Sequence, residues 1–140
     1  MKGKLIKLLD ETEFMLIGIA SRLSMHKLIW LLNNKLNTNF KQADDIVYTK
    51  NKQADTINFT IYTHEESSEL IYRVIENKNT SGILINQLKN IDYLLKIEGD
   101  LHKSQLNNIN KNIREIANIN ASLIIDIKNI KQKEIDLISF

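Results

Sequence analysis

Thr56-Ile57-Asn58-Phe59-Thr60-Ile61-Tyr62 alternates without a break, with Ile57, Phe59 and Ile61 on one side of an extended chain and Thr56, Asn58, Thr60 and Tyr62 on the other. A period of two is that of a β-strand with one face on a core and the other toward solvent. After the polar stretch His64-Glu65-Glu66-Ser67-Ser68, Leu70 to Ile75 resumes an apolar, aromatic and β-branched run. Residues 56–75 therefore read as an antiparallel hairpin. Asn77-Lys78-Asn79-Thr80-Ser81-Gly82 follows as a turn.

Toward the N-terminus, Ile46-Val47-Tyr48 is a short strand candidate. Before it, Met25, Leu28, Ile29, Leu32 and Leu36 recur at steps of three and four behind Ser24, which predicts an amphipathic helix over 24–37 with Ser24 as its N-cap. Asn33, Asn34, Asn37 and Asn39 end it, because their side chains compete for backbone hydrogen bonds. Lys4 to Leu9 and Phe14 to Ala20 are apolar stretches parted by Asp10-Glu11-Thr12-Glu13, a break of hairpin length. Two strands are expected, although Phe14, Ile17 and Gly18 also suit the start of a helix.

Toward the C-terminus, Ile83-Leu84-Ile85 and Ile91 to Ile97 read as strands. After Gly99 a second amphipathic helix carries Leu106, Ile109, Ile113 and Ile116 in a stripe, capped by Asp100 or His102 and ending at Asn118-Ile119-Asn120. Ser122 to Ile127 has the look of a buried strand. The last segment, with Ile130, Ile135, Leu137 and Ile138, either extends the sheet or docks as a tail. Residues 91–127 form a β-α-β unit, right-handed if its strands lie parallel in one sheet. With 83–85 in front, the C-terminal half has a ferredoxin-like β-β-α-β order. The expected fold is a single α+β domain over 1–140, with an antiparallel or mixed sheet and two amphipathic helices.

The composition agrees: 43% hydrophobic and 26% charged residues are near the globular average, so the chain has enough apolar surface to form a core. With no cysteine, disulfides, thiolate metal sites and cysteine nucleophiles are excluded. Lys7 and Asp10 interrupt the opening segment before an apolar signal region forms, and the apolar runs are far short of a membrane span, so a cytoplasmic protein with no membrane partner is expected. Net charge is +2, divided as +4 over 1–42, −3 over 43–98 and +1 over 99–140, which is the scatter of an ordinary surface.

One stretch carries a recognisable pattern. In Gly82-Ile83-Leu84-Ile85-Asn86-Gln87-Leu88-Lys89-Asn90-Ile91-Asp92-Tyr93, the spacing from Ile85 to Asp92-Tyr93 resembles the signature of the IPExxxVDY family, small bacterial proteins of unknown function. Ile85 stands at the motif isoleucine, Asn86 and Gln87 replace proline and glutamate, Ile91 takes the valine position, and Asp92-Tyr93 match outright. Phe14 to Ile19 and Leu31-Leu32-Asn33 also look like the family's N-terminal half, so the resemblance covers most of the chain. It implies a family and no activity. If the glutamate did acid–base work in relatives, Gln87 does not repeat it here, which favours a structural duty for the motif.

Candidate chemistry is sparse. His26, His64 and His102 stand at no metal-ligand spacing and read as solvated surface residues. The only glycines, Gly3, Gly18, Gly82 and Gly99, lie too far apart for a phosphate loop. Asp44-Asp45 and Glu65-Glu66 read as a loop start and a hairpin turn rather than a cation site. Asp92 is expected to bond nearby backbone and Tyr93 to pack beside neighbouring strands. No catalytic residue, metal or cofactor is assigned. Trp30 stands out, because on a helical wheel it points roughly 200° from Leu28, away from the buried stripe. Cover by a second layer or by the tail is the expectation, and an anchor in a protein interface the alternative.

Three functions are in play. The first is a non-enzymatic module that acts through protein–protein contacts, including self-association. The second is RNA or ribosome association through Lys2, Lys4, Lys7, Arg22, Lys27, Lys35 and Lys41. The third, an enzyme, requires Asp92, Tyr93 and a basic residue to converge in a closed pocket.

Overall fold

The alternation at Ile57, Phe59 and Ile61 builds one long strand in an antiparallel sheet that has six strands among the described residues. In a computed structural model that describes residues 14–49 and 55–140, the strands are β1 (Met15–Ser21), β2 (Lys41–Thr49), β3 (Thr56–Ser67), β4 (Leu70–Glu76), β7 (Tyr93–Gly99) and β8 (Ile119–Ile125). Their order across the sheet is β2-β3-β4-β7-β1-β8, with every neighbouring pair antiparallel. Two residues each of β5 (Lys78–Asn79) and β6 (Gly82–Ile83) make a separate small ladder. The helices are α1 (Met25–Leu36), α2 (Lys103–Arg114) and the short α3 (Gln132–Ile135). The expected strand at Lys4–Leu9 and its break at Asp10–Glu13 lie outside the described residues.

The fold is α+β. Since β1 pairs antiparallel with both β7 and β8, those two run parallel with one strand between them, and β7-α2-β8 is a split β-α-β unit. The strand that splits it comes from the N-terminal part of the chain. Residues 83–85 precede the unit but stay out of the main sheet: the backbone N–H groups of Leu84 and Ile85 donate to the Asn77 carbonyl (2.7 Å) and the Asn77 Oδ1 (2.9 Å). An asparagine thus takes the place of a neighbouring strand.

Both sheet faces are covered. On one, α1 and α2 lay Leu28, Ile29, Leu32, Leu106 and Ile113 over Ile17, Ile19, Leu95 and Ile97. On the other, the 84–91 segment and the residues after β8 cover Leu16, Phe59, Ile61, Ile75 and Leu94. Lys128 to Phe140 therefore docks as a tail, with Ile130, Ile135 and Ile138 buried. Each buried isoleucine contributes about 1.5–3 kcal/mol, ample to hold a short tail in place.

Ser24 caps α1 as expected, its side chain accepting from the Lys27 N–H at 3.4 Å, and Asn37 closes it in the left-handed region at φ 56°. His102 precedes α2, where the Gln105 side chain accepts from the His102 N–H at 2.9 Å.

Three expectations are corrected. His64 to Ser67 continue β3 and the turn is confined to Ser68-Glu69, because extended backbone there still pairs with Leu70 to Tyr72. Asp44-Asp45 lie within β2 at a register shift between Ala43 and Ile46, so they occupy a bulge and not a loop start. The apolar run at 122–127 forms an edge strand and not a buried one: Leu123 and Ile124 are 41% and 39% exposed.

Candidate functional site

The family-like motif folds into a hydrogen-bonded knot at the joint of β4, β6 and β7. Ile85 is fully buried and Ile91 nearly so, while Asn86 and Gln87 open an exposed 3-10 turn, Asn86–Leu88. Asp92 Oδ2 accepts from the Ser21 N–H at 2.8 Å, and its own N–H donates to the Ile19 carbonyl at 2.9 Å, so Asp92 closes the end of β1. Lys78 Nζ stands 3.6 Å from Asp92 Oδ1. The Tyr93 hydroxyl donates instead to the Leu23 carbonyl, on the helix-covered face. Burial, with smaller contributions from Glu76 and Asp92, pushes this phenol up to about 12, so it remains a donor at neutral pH. Asp92 and Tyr93 thus serve different partners.

Gln87 ties the motif to the tail. Its backbone N–H donates to Glu134 Oε1 (3.1 Å), its Nε2 to the Asn129 carbonyl (3.3 Å), and its Oε1 accepts from the Lys131 N–H (2.6 Å). Sequence reading missed Asn77, placed in a turn. Asn77 is fully buried, donates twice through Nδ2 to the Leu88 (3.0 Å) and Ile91 (2.8 Å) carbonyls, and accepts from Ile85. Nothing in its local spacing marks it, since its partners lie 8 to 14 residues on.

A second missed cluster surrounds Lys96. This side chain is 1% exposed, with Nζ 3.0 Å from both Glu98 Oε2 and the Phe140 backbone oxygen. The ammonium lies over the rings of Phe140 (4.3 Å) and Phe14 (4.9 Å), and Arg73 both pairs with Glu98 and faces the Phe140 ring. Burial, helped by the Arg73 charge, lowers Lys96 from 10.5 to about 8. Every polar contact points at the protein itself, so the cluster holds the tail.

The histidines divide. His64, expected to be solvated in a turn, is instead packed between Phe40 and Tyr72, with Nδ1 accepting from the Asn39 N–H (3.0 Å) and Nε2 facing Glu66 Oε1 (2.8 Å). A backbone N–H only donates, so Nδ1 carries no proton and Nε2–H points at Glu66. His26 and His102 are exposed. Among the described residues no group of three or more His, Cys, Asp or Glu is placed to hold a metal. No helix there is long and apolar enough to cross a membrane.

Trp30 is 67% exposed, so neither a second layer nor the tail covers it. It lines a groove of about 450 Å³ with Leu23, His26, Lys27, Leu31 and Asn118. The β1–α1 connection supplies Leu23, whose carbonyl is pinned by Tyr93, and the α2–β8 turn supplies Asn118, in the left-handed region at φ 71°. His26 Nδ1 lies 3.2 Å from the Tyr62 hydroxyl, which fixes the ring against the sheet. A neighbouring hollow of about 410 Å³ shares Leu23, Lys27 and Asn118 and adds Arg22, Ser24 and Asn120. Of the other basic residues in this part of the chain, Lys35 pairs with Glu115 at 2.9 Å and Lys41 lines a separate hollow beside His64. Lys2, Lys4 and Lys7 lie outside the described residues.

Compared with known proteins, the chain gives no significant match to any family model, curated protein or solved structure.

Proposed function

We propose that this chain is a member of the IPExxxVDY group that works as a non-enzymatic interaction module, binding a protein partner through the Trp30 groove. The observation that carries the reading is the chain's single tryptophan, on α1 and 67% exposed beside Leu23 and Leu31. An indole brings a large contact area with few rotors, and such residues dominate protein interfaces when seated against apolar neighbours. The motif's contribution is structural: Tyr93 holds the Leu23 wall of the groove, and Gln87 holds the tail on the opposite face.

The test is affinity purification of the tagged full chain from its native cell, beside Trp30→Ala. A partner retained by the wild type and lost from the variant supports the reading; equal recovery by both overturns it. In the purified protein Trp30 should emit at long wavelength and be readily quenched by acrylamide. Blue-shifted, quencher-resistant emission from a verified monomer would retire the surface as an interface.

A further inference from the structure

The Trp30 groove and its neighbouring hollow adjoin through Leu23, Lys27 and Asn118, and together make a cleft. Leu23 and Lys27 line both; the Trp30 hollow adds Leu31 and the neighbouring one adds Arg22, and both cations are exposed. No aspartate or glutamate lines either hollow. Among the described residues neither Arg22 nor Lys27 is in an ion pair. Asn118, common to both hollows, and Asn120 of the neighbouring one add neutral polar groups.

We infer that this cleft takes an acidic, amphipathic polypeptide segment, with a bulky apolar side chain seated against Trp30, Leu23 and Leu31 and carboxylates met by Arg22 and Lys27. The inference rests on the interaction reading above and names its partner chemistry. Charge complementarity selects an acidic partner, and the apolar wall selects a polypeptide. A nucleic acid would need cations along a longer track, and Lys35 and Lys41 do not extend this one. The apolar contact supplies dwell time, and the two cations steer approach and orientation.

The experiment selects random twelve-residue peptides displayed on phage against the immobilised full chain, with Trp30→Ala and the double variant R22E/K27E as counter-targets. All three side chains are exposed, and thermal melts confirm that the variants remain folded. Enriched peptides should place aspartate or glutamate next to leucine, isoleucine or an aromatic residue, and should shift Trp30 emission on binding. Affinity should fall at least tenfold in Trp30→Ala and about fivefold to tenfold in the charge-reversed variant, with the wild-type affinity weakening as salt rises. Selection of no binder, of peptides without acidic enrichment, or of peptides that bind Trp30→Ala equally well overturns the inference. So does tighter binding of a twelve-nucleotide oligouridine, or of phosphatidylglycerol vesicles, than of any selected peptide. A cellular partner that requires Trp30 but binds through a non-acidic segment would defeat this inference alone and leave the interaction reading intact.

Discussion

At the scale of single residues, buried polar groups set the strongest constraints. Replacing Asn77 by alanine strands the Ile91 carbonyl and the Ile85 N–H without their partners, and leaves the Leu88 carbonyl with the Ile91 N–H alone. Each stranded buried group costs about 1–3 kcal/mol. With some repair by water, Asn77→Ala should lose about 3 kcal/mol, read as a lower urea midpoint at unchanged slope. Lys96 predicts a pH dependence. Below pH 8 the folded and unfolded chains both hold the proton, so its contribution is constant; between about 8 and 10.5 the unfolded chain keeps a proton that the folded chain has shed. Stability should therefore rise with pH across that window, by on the order of 2 kcal/mol. Urea titrations at several pH values should show this rise in the wild type and its absence in Lys96→Met. Neither residue was legible from sequence, because lysine within an apolar run and asparagine after a strand are ordinary local patterns.

At the scale of elements, the periodic segments were the legible ones. The alternation at 56–62, the stripe in 25–36 and the stripe in 103–114 all reflect burial against a partner, which leaves a period in the chain. Boundaries slipped where tertiary contacts decide: His64 to Ser67 are polar yet extended, and Leu84-Ile85 are apolar yet bonded to Asn77. The site was half legible. The helical wheel showed that Trp30 faces away from the core, while its neighbours Leu23 and Asn118 come from distant connections that no local pattern joins to it. Gln87 gives a prediction at this scale. Its side chain makes two of the three bonds that join the 3-10 turn to residues 129–134, so Gln87→Ala should cost about 1 kcal/mol. Hydrogen exchange should then speed up at Ile130 to Ser139 while β3 and β4 keep their protection; uniform acceleration throughout the chain would contradict this.

At the scale of the whole molecule, the two outer strands among the described residues are guarded differently. β2 carries Asp44, Asp45 and a bulge, whereas β8 carries no charge of its own and borrows the Arg114 Nε, which donates to the Ser122 carbonyl at 2.9 Å. The strand next to β8 has a different consequence. β1 is flanked by strands whose partner residues lie 74 to 109 positions later in the chain. During synthesis β1 leaves the ribosome before either of the strands it pairs with: one edge waits for β7, and the other until α2 has passed and β8 has emerged. The hairpin of β3 and β4 can pair with itself earlier, but the apolar run Leu16 to Ile19 has neither of its sheet neighbours until β7 is made. Loop closure over that span slows folding, and an unpaired apolar strand in a nascent chain is the segment that a chaperone would bind. An interior strand made first thus concentrates the risk of misfolding in the period before β7 and β8 exist.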